Sequence, residues 1–240
     1  MVVARNQMAR QLMKPGTAAL SDALGKCGAM NHDMRCVSVN PKMAGPAYTV
    51  RVHTADILMI GKALSECPRD HVLVIAGQAD GNVALWGELT TLAALRKRLA
   101  GVVIDGAVRD IARIRRSSLP VFARAVVPTG GGAEYLGEIG VAVQCGGQVV
   151  RPGDWLIGDD DGVVVIPAEK LHRTLETAQR IVAAEREIER AIRKGADLGR
   201  LLRSQEIIEQ KQSEVFIPQL RAASRRERRT AGRSPKLKTR

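Results

Sequence analysis

The sequence predicts an α/β domain, and three observations carry that expectation. Hydrophobic residues make up 45% of the chain but aromatics only 2%, so the core must be built from Val, Ile, Leu and Ala. Nearly continuous apolar runs at 71–76, 101–104 and 163–166 read as strands covered on both faces. Segments with helical spacing stand between and after them. At 240 residues the chain forms one large domain or two small ones and can bury a full core.

Taken in order, residues 1–14 read as a first helix or a frayed start, broken by Pro15-Gly16-Thr17. Thr17 or Ser21 is placed to cap a second helix over 18–24, ended by Gly25. Cys36-Val37-Ser38-Val39 reads as a strand closed by Asn40-Pro41, and Gly45-Pro46 as a turn before an alternating strand over 47–52. A helix over 57–65 and a turn at Pro68-Arg69-Asp70 lead to the strand at 71–76. After a polar loop over 77–81, residues 85–99 read as a helix whose first turn carries Gly87 and Glu88. The strand at 101–104 ends in an Asp105-Gly106 turn, followed by a short helix over 111–117 and a strand over 120–126.

Gly130-Gly131-Gly132 reads as a mobile loop and, without GxGxxG or GKS/GKT spacing, not as a phosphate loop. Short strands at 141–145, 148–150 and 155–157 are separated by Gly-Gly and by Pro152-Gly153-Asp154. Asp159-Asp160-Asp161-Gly162 lacks EF-hand spacing and a closing Glu, and reads as a turn. A long amphipathic helix over 168–194 carries Leu171, Leu175, Ala178, Ile181, Val182, Ile188 and Ile192 near one stripe and stops at Gly195. A second helix over 198–210 follows. Two helices appended after the last strand suit a contact between subunits. The predicted organisation is a body at 1–167, a helical extension at 168–220 and a basic tail at 221–240.

The net charge of +12 belongs mostly to that tail, where nine Arg or Lys and one Glu leave the first 220 residues at only +4. With few apolar residues the tail reads as a disordered extension able to touch a polyanion weakly. Scarce aromatics argue against a base-stacking surface. No apolar run reaches membrane-spanning length and the start lacks a signal-peptide core, so no membrane role and a cytoplasmic location are expected. Cysteines at 27, 36, 67 and 145 form no CxxC pair and read as reduced thiols; histidines at 32, 53, 71 and 172 do not cluster. Neither a zinc site nor a Ser-His-Asp triad is indicated.

One stretch concentrates chemistry. Trp86-Gly87-Glu88-Leu89-Thr90-Thr91 opens a helix, and Asp105, Arg109 and Asp110 follow the next strand. The free N–H groups and dipole of a helix start favour an anion. Carboxylates suit a hard divalent cation, and arginine gives a planar fork for a carboxylate. A metal-and-anion site and a plain Arg109-Asp110 ion pair both remain open on spacing alone, as does a merely dipole-complementing role for Glu88.

Several motifs resemble one family in order over about residues 17–167. They are Leu20-Ser21-Asp22-Ala23-Leu24-Gly25, Ala44-Gly45-Pro46-Ala47-Tyr48-Thr49-Val50, Trp86-Gly87-Glu88-Leu89, Gly101-Val102-Val103-Ile104-Asp105-Gly106-Ala107-Val108-Arg109-Asp110 and Arg151-Pro152-Gly153-Asp154-Trp155. The family is that of the regulator of ribonuclease activity A, which also contains 4-hydroxy-4-methyl-2-oxoglutarate/4-carboxy-4-hydroxy-2-oxoadipate aldolases. The resemblance implies a swivelling β/β/α-type domain around a small β-barrel, assembled as a homotrimer or homohexamer with sites at subunit interfaces. It implies that the helix start matching Gly87, Glu88, Leu89 and Thr90 holds a substrate carboxylate and that Arg109 holds and polarises a 2-oxo acid. It implies that Asp110 binds Mg²⁺ or Mn²⁺ directly, with Glu88 acting through water. Arg109, Asp110 and Glu88 are thereby the expected catalytic set. The appended helices resemble the aldolase branch, in which a C-terminal glutamate of the neighbouring subunit reaches the metal shell; Glu185 and Glu187 are the candidates.

The chain departs from the family at Arg96-Lys97-Arg98-Leu99, where members usually carry a small residue and a Gly, and at Thr54-Ala55-Asp56, which lacks the usual Gly-Asp pairing. The implied chemistry is cleavage of a 4-hydroxy-2-oxo acid, or decarboxylation of oxaloacetate, through a pyruvate enolate stabilised by a Lewis acid. A Schiff-base route needs a desolvated lysine, and no lysine lies in the predicted core strands. The alternative is a non-catalytic regulator that binds a ribonuclease or another protein.

Overall fold

The computed structural model describes residues 2–78 and 81–212, so the basic tail at 221–240 and part of the 77–81 loop lie outside the described residues. Two compact units divide between Ala183 and Ala184. The first holds α1 (Val2–Leu12), α2 (Gly16–Ala23), β1 (Arg35–Cys36), β2 (Met43–Arg51), α3 (Leu58–Glu66), β3 (Val72–Ala76), β4 (Ala84–Trp86), α4 (Glu88–Lys97), β5 (Gly101–Val108), α5 (Ile111–Ile114) and β6 (Val121–Val126). It continues with β7 (Glu138–Ile139), β8 (Val143–Cys145), β9 (Gln148–Val150), β10 (Trp155–Asp159), β11 (Gly162–Ile166) and the start of α6 (Leu171–Arg193). The second unit holds the end of α6, α7 (Leu198–Leu201) and a helical segment at 204–212. The predicted single helix over 198–210 is thus interrupted, at Leu202 and Arg203, where Arg203 takes φ +52°.

The main sheet runs β1-β6-β5-β3-β2-β10-β11, with β4 added to β5 and β7 to β2. Its centre, β2-β3-β5-β6, is parallel, and β10 and β11 join antiparallel to make a nearly closed, barrel-like sheet. The central strands bury both faces, as their apolar runs require. On β3, Leu73 and Ile75 face one cluster with Val50, Ile60, Trp86, Val102 and Ile104. The alternate residues Val72 and Val74 face the barrel interior with Met43, Val103, Phe122, Leu156 and Val163. Helices α1, α2 and α6 cover the remaining face of β10 and β11 through Leu12, Leu20, Leu171 and Leu175 against Trp155, Ile157 and Ile166.

Several local expectations are corrected. Gly45 and Pro46 lie inside β2, which pairs with β10 over Met43–Pro46 and with β3 from Ala47 onward. Proline sits at this changeover of partners, where a missing N–H is tolerated. Gly45 is needed for close approach, since a Cβ there would lie 2.8 Å from the Asp70 carbonyl oxygen. Leu85 and Trp86 belong to β4 and not to the helix, which begins at Glu88. Asp105 and Gly106 lie within β5 and form no turn. The predicted strand at 36–39 shrinks to Arg35–Cys36, paired with β6. Neither Thr17 nor Ser21 caps α2: the Thr17 amide and hydroxyl both donate to Asp159, at 2.7 and 2.6 Å, tying the helix to the β10–β11 turn. That turn is the predicted Asp159–Gly162 connection.

The departure at Arg96–Leu99 has a backbone consequence. Arg98 is the C-cap of α4 in the left-handed region, φ +57° and ψ +47°, a position that favours glycine. Arg98→Gly is therefore expected to stabilise the protein by about 0.5–1 kcal/mol, the left-handed penalty less glycine's extra chain entropy. Chemical denaturation midpoints of the two proteins would check this, and an unchanged or lower midpoint would refute it.

Candidate functional site

The site grows from the parallel pairing of β4 with β5. The two strands end on the same side, so Gly87 at the start of α4 comes against Arg109 and Asp110 beyond β5. The Arg109 amide donates to the Trp86 carbonyl at 2.9 Å, fixing the two ends together. Gly87 is the N-cap of α4 and has extended backbone. Its N–H donates to the Thr90 hydroxyl at 3.0 Å, and the Thr90 and Thr91 hydroxyls donate to its carbonyl at 3.0 and 2.8 Å. The buried Trp86 indole N–H donates to the Thr91 hydroxyl at 2.8 Å, so the helix start is anchored from below.

Asp110 takes φ +56° and ψ +35°, a left-handed conformation that Asp tolerates better than most side chains. This bend directs Asp110 back to α4, where Oδ2 accepts the Glu88 amide at 3.1 Å. Gly87 makes the approach possible, since a Cβ there would lie 2.6 Å from Asp110 Oδ2. Arg109 Nε stands 3.9 Å from Asp110 Oδ2, a loose ion pair in which the arginine is half exposed. Glu88 pairs instead with Arg113 of α5, at 3.4 Å.

Gly87, Glu88, Arg109 and Asp110 line one cavity of about 220 Å³, with Ile57, Leu85, Trp86, Leu89, Thr90, Gly130 and Gly131. All six predicted site residues, Gly87, Glu88, Leu89, Thr90, Arg109 and Asp110, thus border the same space. Asp105 does not. It is 5% exposed on the barrel side, where its carboxylate pairs with Arg124 and accepts the Gly146 amide at 3.1 Å. Arg124 also pairs with Asp33. Asp105 is therefore a structural group and not the turn that presents the site.

Gly130 and Gly131 also belong to the cavity wall, and no spacing in the sequence announced them. The triple-glycine loop is tied down on both sides, by Gly131 N–H to the Ala84 carbonyl at 3.2 Å and by Gly132 N–H to the Ala55 carbonyl at 2.9 Å. Asp56 backs this loop and is 2% exposed. Burial pushes its carboxyl up, but amide donors from Glu134, Leu58 and Tyr135, with His53 nearby, hold it below the usual carboxylate range.

The donor set can be tested against a divalent cation. Among the described residues no three His, Cys, Asp or Glu side chains gather in one place, which does not suit a structural zinc site. Magnesium keeps most of its waters and needs one or two carboxylates, which Asp110 and Glu88 can supply. Glu185 and Glu187 are exposed on α6 in the second unit, where Glu187 pairs with Arg190. The four cysteines are free thiols, and burial pushes Cys67 up to about 12. None of the described helices is long and apolar enough to cross a membrane.

Fold and site together make this a mixed α/β protein with a nearly closed, barrel-like sheet, in which a helix start, an arginine and an aspartate converge on one small cavity. The RraA-like family model, described as Aldolase/RraA, matches residues 17–165, and the chain belongs to that family. It is 41% identical over 155 residues to an uncharacterized protein of Methanocaldococcus jannaschii, covering 64% of this chain and 74% of that one. It is 32% identical over 155 residues to a Thermus thermophilus protein named 4-hydroxy-4-methyl-2-oxoglutarate aldolase, covering 65% and 94%. A solved Thermus structure described as the RNA-processing inhibitor RraA superposes with a TM-score of 0.59 at 31% identity, covering 63% of this chain and 92% of that one.

Proposed function

We propose that the protein is a divalent-metal-dependent carbon–carbon lyase that cleaves 4-hydroxy-4-methyl-2-oxoglutarate or a related 4-hydroxy-2-oxo acid to pyruvate and a second oxo acid, and decarboxylates oxaloacetate. The observation that carries this reading is the convergence of the α4 start, Arg109 and Asp110 on one cavity. The amides at the start of α4 are suited to hold a substrate carboxylate, and the Arg109 guanidinium to hold the 2-oxo acid. Cleavage breaks the C3–C4 bond: the C4 hydroxyl loses its proton, and the electron pair moves to C3 as the pyruvate enolate, which then takes a proton. Arg109 offsets the charge that develops on the enolate oxygen. Asp110 would hold Mg²⁺ or Mn²⁺ directly and Glu88 through water, and the cation would supply Lewis-acid stabilisation of that same charge.

Assembly as a homotrimer or homohexamer with the site at a subunit interface, in the cytoplasm, is part of the same reading. Leu89 lines the cavity yet is 81% exposed, an apolar rim that a second subunit would cover. The test is pyruvate release from oxaloacetate and from 4-hydroxy-4-methyl-2-oxoglutarate with Mg²⁺ present, abolished by EDTA. Failure on every such acid would favour the second reading, a regulator that binds a ribonuclease or another protein, for which the similarity to the Thermus RNA-processing inhibitor speaks. Deleting residues 221–240 is expected to leave turnover unchanged and to weaken retention on a polyanion column at low salt. Loss of turnover on deletion would contradict the reading of the tail as an appendage that catalysis does not need.

A further inference from the structure

The guanidinium of Arg109 lies against the backbone of Gly130, where a Cβ would come 2.5 Å from Nη1. Among the described residues its nearest carboxylate is Asp110, with Oδ2 3.9 Å from Nε, too far for a hydrogen bond to set its direction. The Arg109 side chain also passes Gly87, but the tip of the fork meets Gly130, so its orientation depends in part on where the 129–132 backbone is held. That backbone is held on one side by β4, with the Ala84 amide donating to the Thr129 carbonyl at 2.7 Å. On the other side it meets residues 55–57, where the Ile57 amide donates to the Gly132 carbonyl at 2.8 Å and Asp56 bridges to Gly132.

One buried side chain locks this second junction. Asp56 Oδ1 accepts the Leu58 amide at 2.8 Å, fixing the start of α3. Its Oδ2 accepts the amides of Glu134 at 2.6 Å and Tyr135 at 3.0 Å, fixing the far end of the glycine loop. The Tyr135 ring stacks on His53 with centroids 4.6 Å apart, which closes the same turn. Asp56 does not line the cavity, whereas its neighbour Ile57 does. A carboxylate with three amide donors and almost no exposure is a rigid anchor, and few other side chains can accept in both directions at once.

We propose that Asp56 is a positioning residue: by pinning the 130–135 loop to the start of α3 it holds the Gly130 wall that orients the Arg109 guanidinium for the 2-oxo acid. Its effect on turnover rests on the lyase reading, while the positioning itself does not. Asn at 56 keeps the shape but replaces one acceptor oxygen by an NH2 donor group, so one junction loses its acceptor. Asp56→Asn is expected to lower kcat/KM on oxaloacetate about 10- to 100-fold, with kcat falling as well as KM rising. Gly130→Ala, which pushes directly on the guanidinium, is expected to do the same. The double variant is expected to cost no more than the worse single one, because both act through one wall.

A purely structural role for Asp56 would not show that non-additivity, and multiplied effects would overturn the proposal. A second readout needs no turnover. The ¹⁵N Nε–H resonance of Arg109, identified by its loss in Arg109→Lys, is expected to shift or broaden in Asp56→Asn. An unchanged resonance would also overturn the proposal, even if the wild type cleaves no oxo acid and the lyase reading falls. Should Asp56→Asn not fold, warming the wild type decides the matter: the Arg109 resonance is expected to broaden as the Glu134 and Tyr135 amides lose hydrogen-exchange protection. Persistence of that resonance after the protection is gone would refute the role.

Discussion

Asp110→Asn is expected to lower pyruvate release by roughly 10³-fold or more while leaving the fold intact. Asparagine is the informative substitution because of the backbone. Asp110 has φ +56°, and asparagine tolerates that region, whereas alanine adds a left-handed penalty of about 1–2 kcal/mol that would blur the result. The asparagine oxygen can still accept the Glu88 amide that Asp110 Oδ2 now accepts at 3.1 Å. What is removed is the charge, and with it the direct ligand for a hard cation. Steady-state rates across a Mg²⁺ or Mn²⁺ titration, with thermal unfolding as the control for folding, would check the expectation. Near wild-type turnover in a folded Asp110→Asn protein would remove Asp110 from the mechanism. Arg109→Lys is expected to be impaired as well, because an ammonium is a point charge and cannot give the two parallel hydrogen bonds of a guanidinium.

How much of this was legible in the sequence differs by element. The runs at 71–76 and 101–104 announced buried strands because a central parallel strand needs apolar residues on both faces, and β3 and β5 occupy those places. Leu85 and Trp86 read as helix in the sequence because a three-residue strand leading straight into a helix has no period of its own. Gly45-Pro46 and Asp105-Gly106 carry turn chemistry locally, yet distant partners override it: β10 and β3 for the first, Arg124 and Gly146 for the second. The six site residues were legible as one set through the family's motifs, and β4–β5 pairing brings them to one cavity. Gly130 enters the cavity wall, and Asp56 comes to stand behind it, only through pairing of residues 129–132 with Ala84 and 55–57, a tertiary arrangement without a local pattern.

Asp105, a turn residue by local sequence but a buried strand residue in the fold, yields the largest expected effect on stability. Its side chain is buried in β5, and the Arg124 side chain that it binds is only 12% exposed. Desolvation alone would lower the affinity of Arg124 for its proton; hydrogen bonds and charge from Asp105 and Asp33 more than offset this. Asp105→Ala therefore strands a partly buried guanidinium on Asp33 alone, whose side chain is 42% exposed, and leaves the Gly146 amide without its acceptor. Breaking a buried pair from one side costs about 3–5 kcal/mol. For a chain of this length that is on the order of 10 °C in Tm. The cost arises from the stranded charge more than from loss of a favourable pair, so removing both partners should recover much of it. Asp105→Leu with Arg124→Met is expected to melt well above Asp105→Ala, since well-packed apolar residues often replace a buried pair at little net cost. Thermal unfolding of the three proteins at matched concentration separates the possibilities. A double variant no more stable than Asp105→Ala would mean that Asp105 acts through the Gly146 amide and the β8–β9 turn, and not through Arg124.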